Sequence, residues 1–258
     1  MFILCKGQVA KEPYIIPITE VPVYSLEELC YYIYNNIYSV TEEFFDEKLA
    51  VWLQEQVQYS SLAKKMKVLI QRRNDSKDLV VTLLCACDYY KEDEIVKLVT
   101  VMEKIANLPA HQKCKIKADN YLHAGKYGKS LQEYKKLLNG ELAEGFSTEE
   151  YGNLLHNQAI AQFHVASFQE AAKGFKEAYA RNQKTESLHQ YLYMLLMNEQ
   201  EELFVKEAVT YGVSTEKMTE LKEDYTNAKA EVYSKDVKDD FIQECKEELR
   251  ASFAGGGI

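Results

Sequence analysis

Two stretches of the chain repeat each other at an offset of 41 residues, from Ala118 to Ala159. Small residues align with small ones and large with large at most positions, and each copy is typical of a helix, a tight turn and a second helix. The small residues let the two helix backbones approach, and the aromatic residue two turns later fills the space toward the next helix. The aligned residues are Ala118, Leu122, Gly125, Tyr127, Ser130, Tyr134 and Leu137 in one copy, and Ala159, Phe163, Ala166, Phe168, Ala171, Phe175 and Ala178 in the other.

Chain breakers are rare, which favours helices over the whole length. Only 11 Gly and 4 Pro occur in 258 residues, and an all-β fold with many turns needs more of both. Hydrophobic residues make up 47% and charged residues 28%, ordinary values for a chain that folds. The fold class predicted is all-α, with helical-hairpin repeats, a short extended N-terminal segment and a long C-terminal helix.

Residues 1–22 differ from the rest because three prolines, Pro13, Pro17 and Pro22, surround a β-branched run. This pattern predicts extended chain over residues 14–19, with a possible small hairpin to residues 2–4 across Lys6-Gly7.

Residues 23–108 are predicted to form an N-terminal helical region. Ser25 and Thr41, each followed by two acidic residues, predict helix starts, and Ser60-Ser61 opens a third helix. Residues 79–90 are almost continuously apolar, so periodicity does not separate helix from strand there; the neighbouring helices favour helix. Residues 91–107 carry a clean apolar stripe.

The repeated residues resemble the tetratricopeptide repeat, over about residues 111–212. The strongest stretch is 166–178, with 125–134 as its counterpart. The usual repeat is about 34 residues long, so we place an insertion in the polar segment 139–146. Both copies lack the family's Trp, and Gln162 replaces an aromatic. A third unit, Thr185 to Gly212, is suggested, giving a predicted repeat domain over residues 109–213.

Residues 214–258 are predicted to form a long terminal helix and a tail. Met218, Leu221, Tyr225, Ala228 and Val232 recur at helical spacing, followed after a break by Val237, Phe241, Cys245 and Leu249. The stripe fits either a helix that caps the last repeat or a coiled coil that makes a homodimer.

The resemblance implies a concave groove lined by the first helix of each pair. The groove residues would be Lys115, Asp119, Leu122, His123, His156, Ile160, Phe163 and His164. Some members of the family hold a C-terminal carboxylate with Lys and Asn on these helices. Lys115 matches that pattern, whereas Asp119 and Ile160 stand where amides are needed.

Motifs for other chemistry are weak or missing. His111-x-x-Cys114 has metal-ligand spacing but lacks the further ligands of a structural zinc site, and phosphate loops and nucleophile elbows do not occur. We therefore expect no catalytic residues, no metal and no cofactor. The net charge of −9 disfavours nucleic acid and anionic lipid as partners. Six scattered cysteines and the lack of a long apolar stretch predict a cytoplasmic protein with reduced thiols.

These observations favour a scaffold or adaptor that binds a peptide or partner protein in the groove, and not an enzyme. The alternative is a regulatory protein in which the repeats sense a peptide ligand and the N-terminal helices act as effector.

Overall fold

A computed structural model describes residue 5 and residues 7–41, 44–165 and 168–234. The chain divides into two compact units, Met1–Ile116 and Lys117–Ile258. The described residues are all-α apart from one short ribbon, with neighbouring helices packed on each other. The helices of the first unit are α1 Leu26–Asn35, α2 Glu47–Glu55, α3 Ser60–Gln71, α4 Ser76–Ala86 and α5 Glu92–Ala106, and α6 Ala110–His123 contains the division between the units.

The extended N-terminal segment forms a two-stranded ribbon. β1 (Tyr14–Ile15) pairs antiparallel with β2 (Pro22–Val23), so that Tyr14 lies opposite Val23. The Tyr14 hydroxyl donates to the Phe44 carbonyl at 3.1 Å, which attaches the ribbon to the helical part of this unit. The hairpin predicted with residues 2–4 lies outside the described residues.

Most predicted helix starts in the first unit are confirmed. Ser25 caps α1, and its hydroxyl accepts from the Glu28 amide at 3.1 Å. α3 starts at Ser60, and the apolar run from Leu79 is helical in α4. The apolar faces of these helices meet in one core, which contains Leu29, Ile33, Leu49, Leu53, Met66 and Leu83.

The start predicted for α2 at Thr41 is wrong. α2 begins at Glu47, and the Asp46 carboxylate caps it by accepting from the Leu49 amide at 3.0 Å. Phe44 and Phe45 are both buried in the core ahead of this cap. Two adjacent side chains that both point inward do not fit the single buried stripe of a surface helix.

The second unit continues as pairs of helices. The helices are α7 Tyr127–Asn139, α8 Thr148–Val165, α9 Phe168–Asn182, α10 Thr185–Met197, α11 Glu201–Thr210 and α12 Thr215–Ser234. The segment predicted to hold the insertion contains a 3-10 helix, Glu141–Gly145. The predicted terminal helix is confirmed as far as Ser234, and Val237, Phe241, Cys245 and Leu249 lie outside the described residues.

α8 and α9 form a close antiparallel pair. A Cβ on Gly152, near the start of α8, would lie 2.7 Å from the Asn182 backbone nitrogen at the end of α9. A Cβ on Gly174, in the middle of α9, would lie 2.9 Å from the Ala159 Cβ. Because neither glycine has a side chain, the two helix backbones can approach closely at both places.

Candidate binding groove

Three helices of the second unit border an apolar groove of about 510 Å³. α8, α10 and α12 each contribute side chains, and Phe175 of α9 completes the lining. Aromatic, aliphatic and thioether groups predominate, as in most ligand-binding clefts. The lining residues are Ile160, Phe163, His164, Phe175, Gln190, Tyr193, Met194, Met197, Asp224, Tyr225 and Ala228.

The groove has a buried base and a more exposed rim. Phe175 and Met194 are 2% and 4% exposed, whereas Phe163, Tyr193 and Tyr225 are partly exposed. Methionine side chains adapt to differently shaped apolar groups. The exposed apolar faces of the aromatic rings are available for contact with a ligand.

Aromatic contacts fix one wall of the groove. The His164 ring stacks on Tyr127, with centroids 3.8 Å apart, and meets the Phe163 ring edge-on at 5.2 Å. Burial lowers the pKa of His164 below its usual value. The imidazole is therefore neutral at pH 7 and adds no positive charge to this wall.

Polar contacts hold α12 against α10 and α11, through Tyr193 of α10 and Glu201 of α11. The Tyr193 hydroxyl donates to Asp224 Oδ2 at 3.1 Å, and Lys222 pairs with Glu201 at 2.5 Å. Burial, followed by the hydrogen bond and charge of Asp224, raises the pKa of Tyr193 to about 12. Tyr193 therefore stays protonated and keeps donating across the physiological pH range.

Three of the residues predicted for a groove, Ile160, Phe163 and His164, lie together in this one. Leu122 and His123 lie on α6, outside the lining residues. Lys115 belongs to the part of α6 that clusters with the first unit.

Asp119 is engaged within the second unit. Its carboxylate accepts from the Tyr134 hydroxyl and, at 3.2 Å, from the Asn157 amide. Tyr134 is fully buried, and burial together with the Asp119 charge raises the pKa of its hydroxyl. This network joins α6, α7 and α8, so Asp119 contributes to helix packing here.

His156 lies in the core beneath the exposed surface. The ring is 8% exposed, packs edge-on against Phe175 at 5.1 Å and has Nδ1 2.9 Å from the Ser187 hydroxyl. This position links α8, α9 and α10, and Phe175, against which it packs, also lines the groove.

The groove residues missed from the sequence come mainly from α10 and α12. Tyr193, Met194 and Met197 belong to the suggested third unit, and Tyr225 and Ala228 belong to the terminal stripe. Both signals were visible as apolar periodicity. Periodicity does not show which neighbouring helix an apolar stripe packs against.

Comparison with protein-family models, with curated protein sequences and with solved structures gives no match. The resemblance to the tetratricopeptide repeat therefore rests on the repeated residues themselves. Within the described part of the chain, none of the helices has the length and apolar character needed to cross a bilayer. The same residues contain no cluster of three or more His, Cys, Asp or Glu side chains suited to a metal ion.

Proposed function

We propose that the second unit is a tetratricopeptide-like repeat scaffold that binds a peptide segment of a partner protein in the groove between α8, α10 and α12. The observation that carries this proposal is the groove itself, in which Phe163, Tyr193, Met197 and Tyr225 are partly exposed on helices held in place by a packed core. Short partner helices and peptides commonly bind by laying an apolar face into such a groove.

Matching burial in the two copies supports the repeat interpretation. Ala118 and Ala159 are both fully buried, as are Ser130 and Ala171. The large residues behave alike too, since Tyr134 is 0% and Phe175 is 2% exposed. These three aligned pairs therefore share a buried packing environment, as expected for copies of one stacked unit.

The turns after three helices also share one geometry, in which two amides hydrogen-bond back into the final helical turn. After α6 the Lys126 amide donates to the Tyr121 carbonyl, after α10 the Gln200 amide to Leu195, and after α11 the Val213 amide to Ala208, each at 2.9 Å. This is the Schellman pattern, in which a left-handed residue ends the helix and turns the chain. Repeated use of one turn favours a regular succession of hairpins.

We propose the cytoplasm as the compartment of this protein. No disulfide joins Cys30, Cys85, Cys87 and Cys114, as expected for a protein in a reducing environment.

The proposal is tested by selecting peptides from a random displayed library on the full chain and measuring their affinity by fluorescence polarisation. Phe163→Glu places a charge in the apolar groove, so we expect it to weaken binding at least about tenfold. Val209→Glu is the matched control, because Val209 is 66% exposed on α11 and does not line the groove. Circular dichroism checks that both variants remain helical.

Selection that yields no peptide, or peptides whose affinity is the same for both variants and the parent chain, would contradict the groove as the binding site. Hydrogen exchange locates the bound peptide independently. Protection is expected on α8, α10 and α12, and protection confined to other helices would also contradict the proposal.

A further inference from the structure

The groove carries an asymmetry of charge. The ionisable residues that line the groove are Asp224, the neutral His164 and two tyrosines. Asp224 is the only carboxylate among these described residues. It lies on the exposed rim, beside the apolar rings of Tyr193 and Tyr225. A ligand that fills the groove with apolar side chains therefore meets a carboxylate at the edge.

Asp224 retains acceptor capacity after its contact within the chain. Tyr193 donates one hydrogen bond to Oδ2 at 3.1 Å, whereas a carboxylate offers about four lone-pair sites. The Tyr193 contact also restricts the carboxylate to the groove edge, which lowers the conformational cost of a second interaction there.

Within the described part of the chain, the three lysines of α12 are engaged elsewhere than at this carboxylate. Lys217 pairs with Glu220 at 2.6 Å and Lys222 pairs with Glu201 at 2.5 Å, so both extend toward other acids. Lys229 lies over the Tyr225 ring, with Nζ 5.7 Å from its centroid. A guanidinium or ammonium group of a ligand is the natural partner for Asp224, and an acidic group is repelled.

We propose that the groove selects peptide segments in which a lysine or arginine follows or precedes large apolar side chains, with Asp224 as the partner of the basic residue. This inference rests on the proposed function of the same groove. Because Asp224 is exposed, it contributes selectivity among apolar peptides, while the affinity comes from the buried apolar contacts.

The test uses three helical peptides with identical Leu and Phe positions that differ only in carrying Arg, Gln or Glu at the flanking site. Their Kd values are measured on the full chain by fluorescence polarisation at low salt. We expect the Arg peptide to bind about fivefold more tightly than the Gln peptide, and the Glu peptide to bind less tightly than either. Added salt should reduce the differences.

Two variants assign the preference to one carboxylate. Asp224→Asn keeps an acceptor for the Tyr193 hydroxyl and removes the charge, so it should make the Arg and Gln peptides bind equally. Glu223→Gln is the matched control, because Glu223 is an exposed neighbour on α12 that does not line the groove and its replacement changes the net charge equally. The control should keep the Arg preference.

The outcomes separate the two proposals. Equal binding of all three peptides that is still lost in Phe163→Glu overturns the basic preference and leaves the apolar groove standing. Binding of none of them overturns the basic preference, and peptide selection from the random library then decides whether the groove binds peptides at all. Binding that appears only when residues 235–258 are removed would assign the groove to the chain's own C-terminal segment, and a dimer that Phe163→Glu dissociates would assign it to a second copy. Either of these results also overturns the preference.

Discussion

His156 Nδ1 lies 2.9 Å from Ser187 Oγ in the core between α8 and α10. The Asn182 amide donates to the same Ser187 oxygen at 3.0 Å. Since Ser187 accepts from Asn182, its own proton is available for the imidazole nitrogen, which fits a neutral ring with the proton on Nε2. Hydrogen bonds between buried side chains thus join α8, α9 and α10, and His156 also packs against Phe175, which lines the groove.

Ser187→Ala should lower the free energy of unfolding by about 1–3 kcal/mol, because it leaves the buried His156 Nδ1 without its partner. It also removes one of the two hydrogen bonds that the Asn182 side-chain amide donates, the other being to Asn153 Oδ1. Urea unfolding followed by circular dichroism measures the change. Thr226→Ala serves as control, since its hydroxyl is exposed and bonds only within α12, and the expected change is within about 0.5 kcal/mol. An equal effect in both variants would contradict a buried network.

Stability should fall as the solution becomes more acidic, and His156 should account for part of the fall. Burial, the largest cause, lowers the pKa of His156 below the usual 6.5, with Lys184 acting in the same direction and Glu186 opposing it. Below 6.5 the unfolded chain therefore binds more protons than the folded chain. His156 therefore costs no stability well above pH 6.5, and its contribution lowers the free energy of unfolding as the pH falls toward and through the folded pKa.

Urea unfolding between about pH 5 and pH 8 measures this dependence. His156→Gln should make the curve less steep in the acidic part of the range. His164 and His189, whose pKa values are also lowered mainly by burial, contribute to the slope in the same direction. A curve that His156→Gln leaves unchanged would contradict the expectation.

Gly152→Ala tests the close approach of α8 and α9. The new Cβ would meet the Asn182 backbone nitrogen at 2.7 Å and the Ala178 carbonyl oxygen at 3.0 Å. We expect a loss of about 1–3 kcal/mol in the free energy of unfolding, as for other overpacked sites. Intrinsic propensity alone gives the opposite sign, a gain of about 1 kcal/mol for alanine over glycine in a helix. A stabilised variant would therefore exclude the close packing.

Much of the all-α fold follows from local signals in the sequence. Ser25 marks the start of α1 because its side-chain oxygen caps the helix. Ser60 marks the start of α3 because apolar residues follow it at helical spacing. The start of α2 was misplaced because Thr41 and Asp46 both offer a cap. Burial of Phe44 and Phe45, which depends on the rest of the core, favours Asp46.

The groove could be predicted only in part for a related reason. Leu154, Leu155, His156, Ala159 and Ala161 are all buried, because α8 packs against neighbours on several sides. Periodicity then gives no single exposed stripe, and the sequence did not distinguish Ile160 and Phe163 on the groove from His156 in the core. The position of α12 over α10 depends on tertiary contacts such as Tyr193 to Asp224, which no local pattern records.

Glu199→Gly should stabilise the turn between α10 and α11. Glu199 has a φ of 58°, a left-handed conformation that costs a residue with a Cβ about 1–2 kcal/mol. Its amide donates to the Leu196 carbonyl at 3.0 Å, so it occupies the helix-ending position at which glycine is most common. After allowing about 0.4–1 kcal/mol for the greater freedom of glycine in the unfolded chain, a net gain of about 0.5–1 kcal/mol remains.

Glu202→Gly, the same change in the first turn of α11, should instead destabilise by up to about 1 kcal/mol. Thermal unfolding of both variants decides the matter, because a Tm that falls in both would show that the left-handed conformation at Glu199 carries no such cost.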